Sequence, residues 1–307
     1  MLMTRHIKTS ETILYVSLLA FISFVVYILY INQEVFYAAH DRSEFLYGTP
    51  FFNTLMSRPF GLMQYVGAWL TQFFYHPALG TTMLGCIWLI IFFVGVKAFR
   101  LKESASALML LPVACLLTSV VDLGYWIYTF TIRGYWFSQS VGLLIMLLLL
   151  WGARCTPRKW HFVWYLLGFF LFPVLGWFAL LFVLCLAIVE RPTWRELLSV
   201  AVLVSSAIVW HALLYSNMKL ETVFYGGFPR FVTPSDFSES LSVPFWTLGA
   251  VLVLIAICGR YLSKWFVPVV CTVGGIVFTM SLMFQDRNYI DEMRMSRYAF
   301  DDNWKKW

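Results

Sequence analysis

The sequence predicts an all-α protein, a polytopic transmembrane helix bundle with about seven full spans, a short helical hairpin and an interfacial helix after the first span. Three observations predict it. Of 307 residues 61% are hydrophobic and only 12% charged, against about 25% charged in soluble proteins, and mean hydropathy is +0.76. The apolar residues come in uncharged blocks such as Ile13–Ile31, and about 20 such residues at about 1.5 Å each cover a hydrocarbon core of about 30 Å. Lysines and arginines cluster in alternate connections between those blocks, the mark of a cytoplasmic face.

The first block follows Arg5 and Lys8 and is too long for the apolar part of a signal peptide. No small-residue cleavage site follows it, only "NQEVFYAAHDR", so it reads as a retained span. Further spans fall near 78–99, 104–121, 137–152, 197–215, 244–259 and 265–284. Between the first two lies Ser57–Pro77, nearly all apolar or aromatic and free of acids. With the N-terminus inside and this stretch not crossing, twelve basic residues face the cytoplasm, among them Lys97, Arg100, Arg154, Arg158 and Lys159. Five face outward: Arg42, Arg58, Arg133, Lys219 and Arg230. A crossing at Ser57–Pro77 would reverse that bias. Pro59 and Pro77 also leave only about 16 helical residues, or about 24 Å, which is short of a span. Gln64, Gly67, Thr71 and Gln72 share one face of that helix, the pattern of an interfacial or bundle-packed segment.

The block His161–Val189 is flanked on both sides by basic residues, so it must go out and return. "FPVLGW", Phe172 to Trp177, supplies the turn. Each arm then has about 12–14 residues, too few to span alone. Residues 1–284 thus form the transmembrane domain, with 33–77 as an outer juxtamembrane loop and helix. The segment 285–307 turns abruptly charged and reads as the start of an extracytoplasmic soluble part.

The net charge of +6 is explained by the cytoplasmic bias, so no nucleic-acid partner is implied. The six cysteines lie in spans or at their ends without metal-ligand spacing, so neither disulfides, a metal site nor a cofactor is expected. Phosphate-binding and hydrolase motifs of soluble enzymes are missing.

The chemistry available is therefore the ionisable residues of the outer side. Asp41 and Glu44 lie three apart, so on a helix they share a face at the membrane surface. They are candidate catalytic carboxylates, with Arg42 or Arg58 to hold a phosphate. A solvated juxtamembrane patch accounts for the same residues. Asp122 closes the third span; an acid there is a functional candidate or an interfacial cap within the Tyr125–Trp136 aromatic belt. Arg133 lies in the same loop and is a candidate partner for it. His211 reads as a packing residue. The 28-residue outer loop from Asn217 to Pro244 offers Arg230 as its anion-binding candidate.

The string "SRPFGLMQYVGAWLTQFFYHPALG", the hairpin "FFLFPVLGWFALLFVLCLAIVE" and the terminal "YAFDDNWKKW" resemble a bacterial polytopic membrane family of unknown function. That resemblance implies an inner-membrane location, a multi-pass part followed by a soluble extracytoplasmic region, and a second glycine where this chain carries Phe60. More distantly, the layout is similar to C-type membrane glycosyltransferases, whose outer loop after the first span carries an acid near the bilayer. Carried over, the acid is Asp41 with Glu44 as the alternative, and the partner is a polyprenyl-phosphate-linked sugar. Three readings follow: a lipid-linked sugar transferase at the outer leaflet, a non-enzymatic anchor or assembly scaffold, and a transporter. The bilayer is the one partner common to all three.

Overall fold

The computed structural model describes residues 2–122, 132–190, 194–232, 239–259, 261–262 and 264–285. The tail from 286 onward, where a soluble segment was expected, lies outside them. The described chain is helical apart from a short antiparallel pair, β1 Arg230–Val232 with β2 Glu239–Leu241. The helices are α1 Leu2–Ile31, α2 Gln33–Arg42, α3 Thr49–Met56, α4 Gly61–Thr71, α5 Pro77–Phe99 and α6 Leu110–Val121. After these come α7 Tyr135–Cys155, α8 His161–Leu175, α9 Trp177–Glu190, α10 Trp194–Leu213, α11 Leu220–Phe224, α12 Val243–Cys258 and α13 Val267–Gln285. Among the described residues five helices are long and apolar enough to cross a membrane: Glu11–Ile31, Pro77–Phe99, Glu103–Val121, Tyr135–Cys155 and Val267–Phe284. Trp177–Glu190 and Val243–Cys258 are shorter apolar helices.

Named contacts relate the directions of six of the helices. Thr272 Oγ1 donates to Ser17 O, and Phe21 lies against Gly275 one turn further along both chains, so α1 and α13 run parallel. Ala114 also meets Gly275, and the Thr118 and Thr279 hydroxyls pair at 3.0 Å, so α6 joins the same direction. On the other side Trp88 Nε1 donates to Ser140 Oγ at 2.9 Å and Arg154 donates to Ala98 O at 2.6 Å, making α5 and α7 parallel. Phe178 lies against Gly142, and Glu190 is ion-paired with Arg154, so α9 is parallel to α7 and in register with it. Among the described residues α8 and α9 go part of the way and return, while the other long helices pass between two ends of the bundle. α1, α6, α8, α10 and α13 run one way; α5, α7, α9 and α12 return.

One end carries Lys97, Arg100, Lys102, Arg158, Lys159 and Lys264, the other the aromatic-rich segments 32–76, 214–232 and 239–243. We call them the basic and aromatic ends. The stretch Glu103–Val121 is 89% buried while the spans of α1, α5 and α13 are largely exposed at their sides, which makes α6 the central helix. α1 and α2 meet at Asn32, whose side-chain amide donates to Ile28 O, and α2 then packs Val35, Phe36 and Ala39 inward. The Trp88–Ser140 bond is buried and joins two spans. A double-mutant cycle of Trp88→Phe and Ser140→Ala, read by thermal unfolding in detergent, is expected to give a coupling of about 1 kcal/mol.

Candidate functional site

The block His161–Val189 is a helical hairpin, α8 and α9, turning at Gly176. Because α9 is in register with α7, its first residue Trp177 lies about six residues, or about 9 Å, below the start of α7. The hairpin tip therefore stops short of the aromatic end, and two other segments descend to cover it. Phe60 N donates to Pro173 O at 2.9 Å, and Trp177 N donates to Gly226 O at 3.0 Å. Gln139 Nε2 of α7 donates to Gly227 O at 2.7 Å. Three stretches of non-helical backbone thus meet inside the bundle, which is tolerated at that depth only where protein satisfies their polar groups.

Glycine makes the junction possible. Gly176 sits at φ 55, ψ −130, a region closed to side-chain-bearing residues, and a Cβ there would strike Gly226 O. Gly227, at φ 78, lies flat against the Phe60 ring. Phe60 itself is left-handed at φ 67. A glycine takes that conformation without strain, and a glycine is what the family resemblance implies at this position. Here the ring is fully buried and packs on Phe178 at 6.0 Å.

This junction revises the expectation for Ser57–Pro77. The stretch is not one surface helix: α4 ends at Thr71, a 3-10 turn covers Gln72–Tyr75, and Pro77 opens α5. The small-residue face is the buried one. A Cβ on Gly67 would fall 2.7 Å from both Gly134 O and Ser138 Cβ, so the α4 and α7 backbones touch, the packing typical of helices in lipid. Gln72 Nε2 donates to Ser43 O at 2.8 Å, fastening the preceding loop.

Above the hairpin tip a group of buried polar side chains collects. Tyr135 and Gln139 occupy successive turns of α7, Ser242 precedes α12, and Asp122 closes α6. Tyr135 is within electrostatic reach of Asp122 and hydrogen-bonding reach of Ser242. Trp177 and Tyr135 both flank Phe245, at 6.2 and 6.0 Å, and Phe228 closes the ring around it. Gln139 Oε1 and Trp177 Nε1 are buried without a hydrogen-bond partner among the described residues. A carboxylate among aromatic walls can hold a cationic or hydrogen-bonding group. Among the described residues no group of three or more His, Cys, Asp or Glu side chains gathers to bind a metal.

Of the residues singled out in the sequence, Asp122 belongs to this cluster. Asp41 does not: its side chain is 78% exposed and pairs with the neighbouring His40 at 3.1 Å. The shared face expected for Asp41 and Glu44 is absent, because α2 ends at Arg42 and Ser43 caps it, with Ser43 N donating to Ala39 O and His40 O. Ser43 Oγ accepts from Gly134 N, turning the chain away before Glu44. Arg133 donates to Glu44 O at 3.3 Å and stands 6.0 Å over the Phe51 ring. Arg58 is exposed at the corner between α3 and α4. The side chains of Arg42 and Arg230 lie outside the described residues. His211 Nε2 bonds with Met218 O at 2.8 Å, just beyond the end of α10.

Tyr135, Gln139, Trp177 and Ser242 were missed in the sequence because they are uncharged and lie on three distant elements. A signal for the packing did exist: Gly67–Thr71 and Ser138–Gly142 are both small residues four apart. No curated protein and no solved structure matches the chain. Residues 7–307 match a family described as "Family of unknown function (DUF6057)". That match covers nearly the whole chain, and the chain belongs to this family of unknown function, as its hairpin and Ser57–Gly80 strings had suggested.

Proposed function

We propose that this chain is a multi-pass protein of the bacterial inner membrane and acts as a non-enzymatic assembly scaffold at the outer surface. On this reading the N-terminus is cytoplasmic, the basic end lies inside and the aromatic end outside, a reading supported by the Lys and Arg residues gathered at one end of the bundle. The observation that carries the scaffold reading is the junction of Phe60, Pro173–Trp177 and Gly226–Gly227. It ties two segments of the aromatic end to the hairpin tip through backbone hydrogen bonds. That gives a rigid platform rather than a groove open to lipid.

The transferase reading is second, and one observation favours it: Asp122 is buried beside Tyr135 at the same end as Arg133. It rests on Asp122 rather than on Asp41. A general base needs a restricted position against its acceptor, and the Asp41 carboxylate is mostly in solvent. The two readings part in proteoliposomes supplied with a polyprenyl-phosphate-linked radiolabelled sugar and an acceptor glycan. The scaffold reading expects no transfer above protein-free vesicles, and expects Asp41→Asn to leave expression and thermal stability unchanged. Transfer by the native chain that falls a hundredfold or more in Asp122→Asn or Asp41→Asn, with folding intact, would establish the transferase instead.

A further inference from the structure

The last turn of α5 carries two charges that the protein leaves without a counter-ion. Lys97 and Arg100 are exposed, and among the described residues neither is ion-paired. Glu103, three residues beyond Arg100, pairs with neither, and Arg154 already has Glu190 as its own partner. Two contacts hold the cations against α7. The Lys97 ammonium stands 5.1 Å over the Trp151 ring, and Arg100 donates to Arg154 O. Both are thus gathered where α5 and α7 meet rather than dispersed in solvent.

Toward the middle of the bundle the same surface becomes apolar. α5 turns Trp88, Ile91 and Gly95 inward, which leaves Leu89, Phe93 and Lys97 in one exposed row at four-residue spacing. α7 exposes Leu148 and Trp151 in the same way. The two helices are parallel, with Trp88 bonded to Ser140 and Arg154 to Ala98. Phe93 and Leu148 therefore lie one turn inward from Lys97 and Trp151. Lys97 and Trp151 fall within the last turn or so of the Pro77–Phe99 and Tyr135–Cys155 spans. That is the level of the headgroups, where a lysine extends to the surface and a tryptophan sits in the interfacial belt.

We propose that Lys97, Arg100 and Trp151 form a site for an anionic phospholipid of the inner leaflet. The phosphodiester sits between the two cations, and an acyl chain runs along Phe93 and Leu148. Charge complementarity selects the class of ligand, because basic pockets between spans on the cytoplasmic side attract anionic headgroups. The apolar row selects lipid over a soluble anion. A free phosphate would meet the cations alone, whereas a phospholipid meets both halves of the surface.

The inference rests on the membrane reading, and its test separates the two. Native mass spectrometry of the full-length chain in detergent measures its affinity for phosphatidylglycerol and for phosphatidylethanolamine. The native chain is expected to prefer phosphatidylglycerol. Lys97→Gln/Arg100→Gln, once size exclusion confirms its fold, is expected to bind that lipid roughly tenfold more weakly. Lys159→Gln/Lys264→Gln removes the same charge from the same end and should lose less than about twofold, since neither residue belongs to the site. Lys97→Gln alone changes only an exposed side chain, so it keeps the test open if the double variant does not fold; about a fivefold loss is expected. A loss no greater than the control's, or no lipid preference in the native chain, overturns the site alone. Displacement of the lipid by glycerol phosphate also overturns it, because the ligand would then be a soluble anion. Alkaline carbonate extraction tests the membrane reading separately, and the native chain is expected to stay with the membranes. Release by carbonate would overturn that reading and the site with it.

Discussion

Gly176→Val, at the tip of the hairpin, is expected to lower the melting temperature of the detergent-solubilised protein by roughly 10 °C. Two costs add. A side chain at φ 55, ψ −130 occupies a backbone region essentially reserved for glycine, at about 1–3 kcal/mol. Its Cβ also meets Gly226 O, and overpacking a site that cannot open costs a further 1–3 kcal/mol or so. Relief requires the 225–228 loop to lift, which breaks the Trp177 N to Gly226 O bond and uncovers the Phe60 ring. Gly85→Val is the matched control. Gly85 has nothing near the position of its missing Cβ, so its melting temperature should stay within about 2 °C of native, since substitutions away from buried features are worth about 0.5 kcal/mol. Equal melting temperatures for the two variants would show that the junction does not hold the cap.

Arg154→Ala is the second large effect, at the opposite end. The Arg154 side chain is 1% exposed and its Nε donates to Glu190 Oε1 at 3.1 Å. Its NH1 donates to Ala98 O, and Arg100 donates in turn to Arg154 O. The guanidinium sits where α5, α7 and α9 all end, among carbonyls carrying the negative poles of three helices. Removing it takes the ion-pair partner from the partly exposed Glu190 and the donor from the Ala98 carbonyl, a loss of about 2–3 kcal/mol. Arg154→Lys should not restore it, because one ammonium cannot replace a fork that reaches two helices. Glu190→Gln should cost less, since that side chain is partly exposed and keeps an acceptor. Thermal unfolding of the three variants checks the order.

The hairpin was legible in the sequence because two physical signals agreed: basic residues on both flanks, and a proline and glycine at the midpoint of the apolar run. Gly176 is indeed the turn. The α3–α4 pair was not legible. The turn between its two helices is set by Phe60 holding a left-handed conformation against Pro173 and Gly227, contacts more than a hundred residues away in sequence. Hydropathy left open whether α4 is interfacial or packed in the bundle, and the structure packs its Gly67 and Thr71 face inward. Inside a membrane protein the apolar residues can face lipid while Gly67 and Thr71 face the neighbouring helix. Arg154 shows a different limit. It counted in the sequence as one of the cytoplasmic charges, yet its charge is held in the protein by Glu190. Asp122 was found because a charge at a span end is conspicuous; Tyr135, Gln139 and Ser242 become visible only when α6, α7 and α12 are brought together.

The central claim is that the bundle crosses the membrane with its basic end inside and its aromatic end outside. Epitope tags inserted at Lys159 and at Lys219, exposed residues at opposite ends separated by α8, α9 and α10, test it most directly. Antibody binding is measured on spheroplasts before and after permeabilisation. The Lys219 tag is expected to be detected on intact spheroplasts and the Lys159 tag only after permeabilisation. Detection of both tags on one side, or of Lys159 alone on intact spheroplasts, would contradict the topology on which the account depends.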